Sequence, residues 1–193
     1  MANLAAVQRP ISSLPIAAKI AVPGIPDWVA IDTGAVWISN AGNDSLARID
    51  PKKNKVAKVV PVGRSPCSGL TAGFGSVWAP CCKDNRVDRV NVRTNRVEAH
   101  VATPIADSEG GIAAGEGAVW LVADRNGTLV RIDPAHNKIN GQVKLAGGSF
   151  VPVVGAGSVW VSSTEHGLVS RVDPKRMSVS AEIRVGPAPP FMA

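Results

Sequence analysis

At 193 residues the chain is long enough to bury a full core as one domain, and no run of about 18 apolar residues is present, which excludes a membrane-spanning helix. Its apolar content is mostly Val, Ile, Ala and Leu, interleaved with 19 Gly and 15 Pro and lacking Tyr, the composition of many short strands joined by tight turns. The net charge of +6 raises nucleic-acid binding, but Lys52, Lys53, Lys55, Arg93, Arg96, Lys138, Lys175 and Arg176 fall in or beside one recurring kind of turn, with no aromatic residues interleaved for base stacking, so no nucleic-acid partner is expected.

Residues 1–15 are small, polar and proline-containing, without a period, and read as a flexible arm or leader remnant; no intact signal peptide is visible. From residue 16 a unit repeats. Gly34-Ala35-Val36-Trp37 returns as Gly75-Ser76-Val77-Trp78, Gly117-Ala118-Val119-Trp120 and Gly157-Ser158-Val159-Trp160, with the tryptophans 41, 42 and 40 residues apart. Each unit holds an Ala/Gly-rich apolar piece, the Gly-x-Val-Trp piece, a Leu/Val-x-Arg-Ile/Val-Asp/Asn piece and a Val/Ile-led alternating piece. Four short strands at this period predict the blade of an all-β propeller, with blades over about 16–62, 63–103, 104–146 and 147–186. In the second unit the expected strands are A (Leu70 to Gly73), B (Ser76 to Pro80), C (Val87 to Asn91) and D (Val97 to Ala102). Gly73 and Gly75 bracket the A-to-B turn, where positive φ costs glycine nothing. Asp50-Pro51, Asp133-Pro134 and Asp173-Pro174 open type I turns between C and D, and Asn54 and Asn137 suit the left-handed position that ends them.

Residues that repeat with the unit serve the unit. Trp37, Trp78, Trp120 and Trp160 are therefore expected to fill the space between adjacent sheets. Arg48, Arg89, Arg131 and Arg171 should lay their stems on the neighbouring sheet and their guanidinium groups on a turn carboxylate or a tryptophan face. Function is sought in what does not repeat, on the face carrying the D-to-A and B-to-C connections. Cys67 lies in the D-to-A loop before the second blade and Cys81-Cys82 in its B-to-C loop. These loops should be neighbours, so a Cys67–Cys82 bridge is expected, with Cys81 a free or buried thiol. The competing metal site would need a fourth ligand that the sequence does not offer. Trp28 stands where the next two units have Gly69 and Gly111, and either serves recognition at the channel rim or plugs a gap in the first blade. Asp27, Asp44, Asp107, Glu109, Asp124, Glu165 and His166 map to the same face. Only at Glu165-His166 do a carboxylate and a histidine meet there, which offers a general acid or base, or oxygens for a divalent cation. His100 and His136 map elsewhere, to an outer strand and a C-to-D turn.

Val159 to Val161, Leu46 to Val56 and Val62 to Pro66, read together, resemble the bacterial YVTN and streptogramin B lyase-like propeller superfamily over about residues 16 to 193. The resemblance implies a propeller and, for the streptogramin B lyases, seven blades and a metal-assisted elimination by histidine and glutamate residues around the channel. Glu165 and His166 occupy the corresponding region, whereas the family's spaced histidines have no counterpart. Members of the wider group are often extracytoplasmic, in agreement with a disulfide.

Four units are visible, and Arg184 to Pro189 reads like the opening of a fifth. A truncated ring, a closed four-blade ring and two chains joined into a larger ring all remain open, a homodimer following if the four blades form an open arc. The function expected is that of a secreted or periplasmic ligand- or protein-binding or scaffold module that needs no cofactor. Its contact surface would be the rim of Asp27, Trp28, Glu109, Asp124, Glu165 and His166. The alternative is a streptogramin B lyase-like C–O lyase using Glu165, His166 and Mg²⁺.

Overall fold

The computed structural model describes residues 10–106, 111–187 and 189. Sixteen strands among them form four sheets, each an antiparallel meander in chain order. The first blade is β1 (Pro26–Ile31), β2 (Val36–Asn40), β3 (Ser45–Asp50) and β4 (Lys55–Pro61). The second is β5 (Thr71–Gly73), β6 (Ser76–Cys81), β7 (Arg86–Asn91) and β8 (Arg96–Ala102). The third is β9 (Ile112–Gly115), β10 (Ala118–Asp124), β11 (Thr128–Asp133) and β12 (Lys138–Lys144). The fourth is β13 (Ser149–Gly155), β14 (Ser158–Ser163), β15 (Leu168–Asp173) and β16 (Ser178–Arg184). The chain is an all-β propeller of four blades whose strands follow the expected ones to within a residue or so at their ends.

The turns explain the repeat. In the last three blades the A-to-B connection places two consecutive residues at positive φ, Phe74-Gly75, Glu116-Gly117 and Ala156-Gly157, the geometry that matches the twist of a hairpin. Gly73 is not one of them, which corrects the expectation of positive φ there. Gly73 is required instead because a Cβ at that position would stand 2.7 Å from the Cβ of Ala114 in the next blade. The C-to-D turns end on Asn54, Asn95, Asn137 and Met177, with φ of 51°, 55°, 53° and 55°. Asp50, Asn91, Asp133 and Asp173 each accept a backbone N–H two residues on within those turns. Immediately after each repeated arginine, the C–D pairing slips by one residue, a bulge that bends every outer strand at the same point.

Each sheet has two unlike faces. Trp37, with Leu46 and Val60, packs on Val77, Ala79 and Val90 of the second blade. Trp78, with Val87 and Val101, packs on Val119, Leu121 and Ile132 of the third. Trp120, with Leu129 and Val143, packs on Val159, Val161 and Val172 of the fourth. These three indoles are fully buried, and burial of side chains of this size dominates such cores. Each repeated arginine lies over its own blade's tryptophan, with the guanidinium carbon 5.9, 4.9, 5.9 and 5.3 Å from the ring centre for Arg48, Arg89, Arg131 and Arg171. Three cores thus join four sheets in a row, and among the described residues none joins the fourth to the first. The blades form an arc.

Candidate functional site

The D-to-A and B-to-C connections share one face of the arc, as the hydrogen bonds between them record. Val62, Thr103, Leu145 and Val185, each just beyond an outer strand, donate their N–H groups to Asp44, Asn85, Gly127 and Gly167 of the B-to-C loops. In the second blade Cys67 N–H donates to Pro80 O at 2.9 Å and Cys82 N–H to Ser65 O at 3.0 Å, which brings the two cysteines into register. A disulfide joins Cys67 to Cys82, with their Cα atoms 5.9 Å apart. Cys81 is left as a buried thiol. Burial, reinforced by the nearby Asp88 charge, pushes its pKa up to about 12, so it stays a neutral, inert side chain.

Below this staple lies a buried carboxylate. Asp88 is fully buried and accepts hydrogen bonds from Gly63 N–H at 2.7 Å and Arg86 Nε at 2.8 Å, while His100 Nδ1 stands 2.7 Å away. His100 therefore belongs to a structural network of the second blade.

At the junction of the third and fourth blades the non-repeating residues converge. Thr164 N–H donates to Gly148 O at 3.0 Å and Gly148 N–H to Arg125 O at 3.0 Å, tying two B-to-C loops to one D-to-A loop. Ser163 Oγ donates to Gly147 O at 2.7 Å, and His166 Nδ1 stands 3.1 Å from the same carbonyl. Ser163 Oγ, 3.3 Å from the same Nδ1, shares this contact. The Glu165 side chain crosses directly over Gly148, where any Cβ would collide with it. The result is a cleft of about 290 Å³ lined by Arg125, Ser149, Phe150, Thr164 and Glu165. A second hollow of about 480 Å³ adjoins it through Thr164 and Glu165 and continues past His166 to Arg184 and Pro187.

The other expected rim residues are placed differently. Asp27 is exposed and Trp28 half-buried at the far end of the arc, three blades away from Glu165. The Trp28 ring packs against the core between the first and second blades, the gap-filling placement, and the residue's backbone N–H donates to Ser39 Oγ at 2.9 Å. Asp124 sits at the end of β10 and accepts the Thr128 N–H at 3.1 Å. Burial pulls its carboxyl upward, but hydrogen bonds from the Thr128 hydroxyl and N–H and from Asn126 outweigh that pull and hold it below the ordinary carboxylate value. Asp107 and Glu109 lie outside the described residues. Sequence reasoning missed Arg125, Phe150 and Thr164. The signal was present for Phe150, which stands where the first two blades carry Asp27 and Ser68.

Among the described residues no three of His, Cys, Asp and Glu gather closely enough to hold a metal ion. At the cleft a single carboxylate, Glu165, faces a cation, Arg125, and His166 spends one ring nitrogen on a carbonyl. That donor set does not fit the oxygen-rich octahedral shell of Mg²⁺.

Neither a family model nor a curated protein matches the chain. Its fold, however, is similar to that of many solved structures. Hydrazine synthase of Kuenenia stuttgartiensis superposes with a TM-score of 0.72 at 15% identity, over 88% of this chain and 51% of that one. Virginiamycin B lyase from Staphylococcus aureus, as a catalytically inactive histidine-to-alanine variant with quinupristin, superposes with a TM-score of 0.68 at 18% identity, over 83% of this chain and 55% of that one. The computationally designed Ika8 protein gives 0.69 at 11% identity, over 88% and 53%. The fold is thus that of a streptogramin B lyase-like propeller, and the chain spans about half the length of each of these three neighbours.

Proposed function

We propose that the chain is an extracytoplasmic binding module that takes a short peptide or peptide-like ligand at the Arg125–Phe150–Glu165 cleft. The observation that supports this reading is a division of labour. The repeated tryptophans and arginines are consumed by the architecture: Trp78, Trp120 and Trp160 donate Nε1–H to the carbonyls of Gly73, Gly115 and Gly155 at 3.2, 3.1 and 3.0 Å, and the arginines cover the rings. The non-repeating side chains at the third–fourth junction instead present a cation, a carboxylate, a hydroxyl and a ring to one cleft. Arg125 suits a ligand carboxylate, Glu165 an ammonium, and Phe150 an apolar side chain between them. The disulfide favours a secreted or periplasmic setting, since such bonds persist where thiols are oxidised. No helix among the described residues is long and apolar enough to cross a membrane.

The test uses the zwitterionic dipeptide lysyl-phenylalanine as probe, followed by NMR shift mapping on the disulfide-intact chain. Saturable shifts centred on Phe150 and Thr164, and lost in Glu165→Gln, are the expected result. Shifts scattered over the basic C-to-D turns would refute the cleft as the site.

A second reading is favoured by one observation, the exposed His166 imidazole beside Glu165 in one hollow. In the neighbour solved with quinupristin the inactive variant lacks a histidine. A lyase role here would use His166 to take a proton from the substrate. Incubation with quinupristin, with and without added Mg²⁺ or chelator, decides it: ring opening that disappears in His166→Ala supports the lyase, and no turnover under either condition removes it.

A further inference from the structure

The interior blade junctions show what each kind of sheet face binds. At each, the tryptophan face of one sheet meets the branched aliphatic face of the next, and Val77, Val119 and Val159 on the receiving faces are fully buried. The innermost strands meet just as closely. A Cβ at Gly73 would stand 2.7 Å from Ala114 Cβ, and one at Gly115 would stand 3.1 Å from Val154 Cβ. At the second junction Arg89 Nη1 also reaches across to Pro134 O at 2.5 Å and Asn137 Oδ1 at 2.8 Å in the turn of the third blade.

The two ends of the arc carry the two halves of this same interface. On the fourth blade Trp160 alone of the four repeated indoles is only half-buried, Arg171 alone of the four repeated arginines is exposed, and no atom of the described residues lies within 4 Å of a Cβ placed at Gly155. On the first blade the aliphatic face is open in part: Ile31, equivalent to Ala114 and Val154, is 71% exposed and Val29 and Val59 are 53% and 44% exposed, while Ala47 and Ile49, paired with Ile38 and Val36, are buried. Val36 and Ile38, equivalent to the buried Val119 and Leu121, are only half-buried. A soluble chain rarely leaves such a face uncovered.

We propose that two copies of the chain associate head to tail, the Trp160 face of each on the Val36–Ile38 face of the other, closing a ring of eight blades. The occupant is specified by the molecule itself, because the equivalents of the two end faces are bound to each other at three interior junctions. A head-to-tail contact closes only if its rotation does, and closure at two copies corresponds to each arc turning through about half a circle. The solved neighbours of this fold each have about half of their length outside the match to this chain. By equivalence with Gly115 and Val154, Gly155 of one copy receives Ile31 of the other. By equivalence with Arg89 and Asn137, Arg171 reaches Asn54. The junction also completes the candidate site. By equivalence with Arg125 and Phe150, which line one cleft at the third junction, Glu165 of one copy comes beside Asp27 of the other.

The test is the molar mass of the 193-residue chain by sedimentation at micromolar concentration, together with two variants. Twice the 20.0 kDa chain mass is expected. Ile31→Glu, a change at a position exposed in the single arc, is expected to leave the circular dichroism spectrum intact and to weaken self-association by more than about tenfold. The double variant Ile31→Cys with Gly155→Cys is expected to give a covalent dimer on mild oxidation, because the quasi-equivalent Cβ atoms are close enough to bridge. A monomer at all concentrations overturns the proposal and leaves further blades of a longer chain as the cover. A dimer that neither cross-links nor responds to Ile31→Glu overturns the head-to-tail mode, and open-ended polymers overturn ring closure.

Discussion

Trp37 Nε1 donates to Asp32 Oδ2 at 2.9 Å, where the other three repeated indoles donate to a glycine carbonyl. Asp32 stands in sequence where those blades carry the glycine, so the first blade replaces a main-chain acceptor by a carboxylate. The other oxygen of Asp32 accepts the N–H groups of Gly34 and Ala35 at 2.6 and 2.7 Å and folds the A-to-B turn. Asp32→Ala removes all three bonds and leaves a buried indole N–H unpaired. It is expected to cost about 1.5–3 kcal/mol, read from the urea midpoint. A loss no larger than that of an exposed aspartate elsewhere would show that the indole finds another acceptor.

Gly73 and Ala114 test the packing argument for the inner strands. Gly73→Val should destabilise by about 1–3 kcal/mol through overpacking, since φ is ordinary there and only the neighbour objects. Adding Ala114→Gly should recover part of that loss, a coupling measured by a double-mutant cycle in thermal unfolding. Simple additivity would mean that the two strands do not meet as closely as the structure has them.

The thiols should count in a fixed order. With Cys67 and Cys82 bonded and Cys81 buried with a pKa of about 12, a thiol reagent finds no reactive group in the native chain, one after denaturation and three after reduction. The bond spans 15 residues of sequence, for which chain entropy predicts about 3 kcal/mol of stabilisation. Replacing both cysteines by serine and comparing denaturant midpoints checks the figure.

Acid should unfold the arc through its turns. Asp50 is held below its ordinary value first by the N–H of Lys53, Asp84 by the N–H and guanidinium of Arg64, Asp133 by the His136 side chain, and Asp173 by the N–H of Arg176. A carboxyl whose folded pKa lies below its unfolded one stabilises the fold above the unfolded value of 3.8 and loses that contribution as pH falls through the folded value. The Tm should therefore hold from neutrality to about pH 5 and fall below about pH 4. A Tm that drops between neutrality and pH 5 would place the sensitive group elsewhere.

At the cleft, Arg125→Ala, Phe150→Ala and Glu165→Gln are each expected to weaken lysyl-phenylalanine binding about tenfold or more. Arg125→Ala and Glu165→Gln should do so with little change in Tm, because both side chains are exposed. Unchanged affinity in all three would move the search to the hollow beside Arg184.

What could be read from the chain alone was what the chain repeats. The Gly-x-Val-Trp spacing, the turn asparagines and the cysteines in adjacent loops are local signals whose partners lie within one unit, and they led to the blade and the bridge. Trp28 was ambiguous because a single unrepeated residue on an inner strand has no copy to compare. Only the packing shows it turned into the first–second core. Arg125 and Phe150 were missed for a different reason: they come from adjoining blades and meet only because the D-to-A loop at Gly147-Gly148 is bare enough for Glu165 to cross. Gly73 was recognised and explained by the wrong cause, since a tight interstrand approach and a positive φ both demand glycine and look alike in sequence.

The two-faced sheet gives the row of blades a direction, like bricks that mate only stud to socket. Because every blade offers the same kind of stud and socket, duplicating or excising one whole unit of about 41 residues is expected to change the length of the arc while keeping each joint of that kind. Rings of different blade number are thus reachable from this chain by copying alone, while the loops on one rim stay free to diverge.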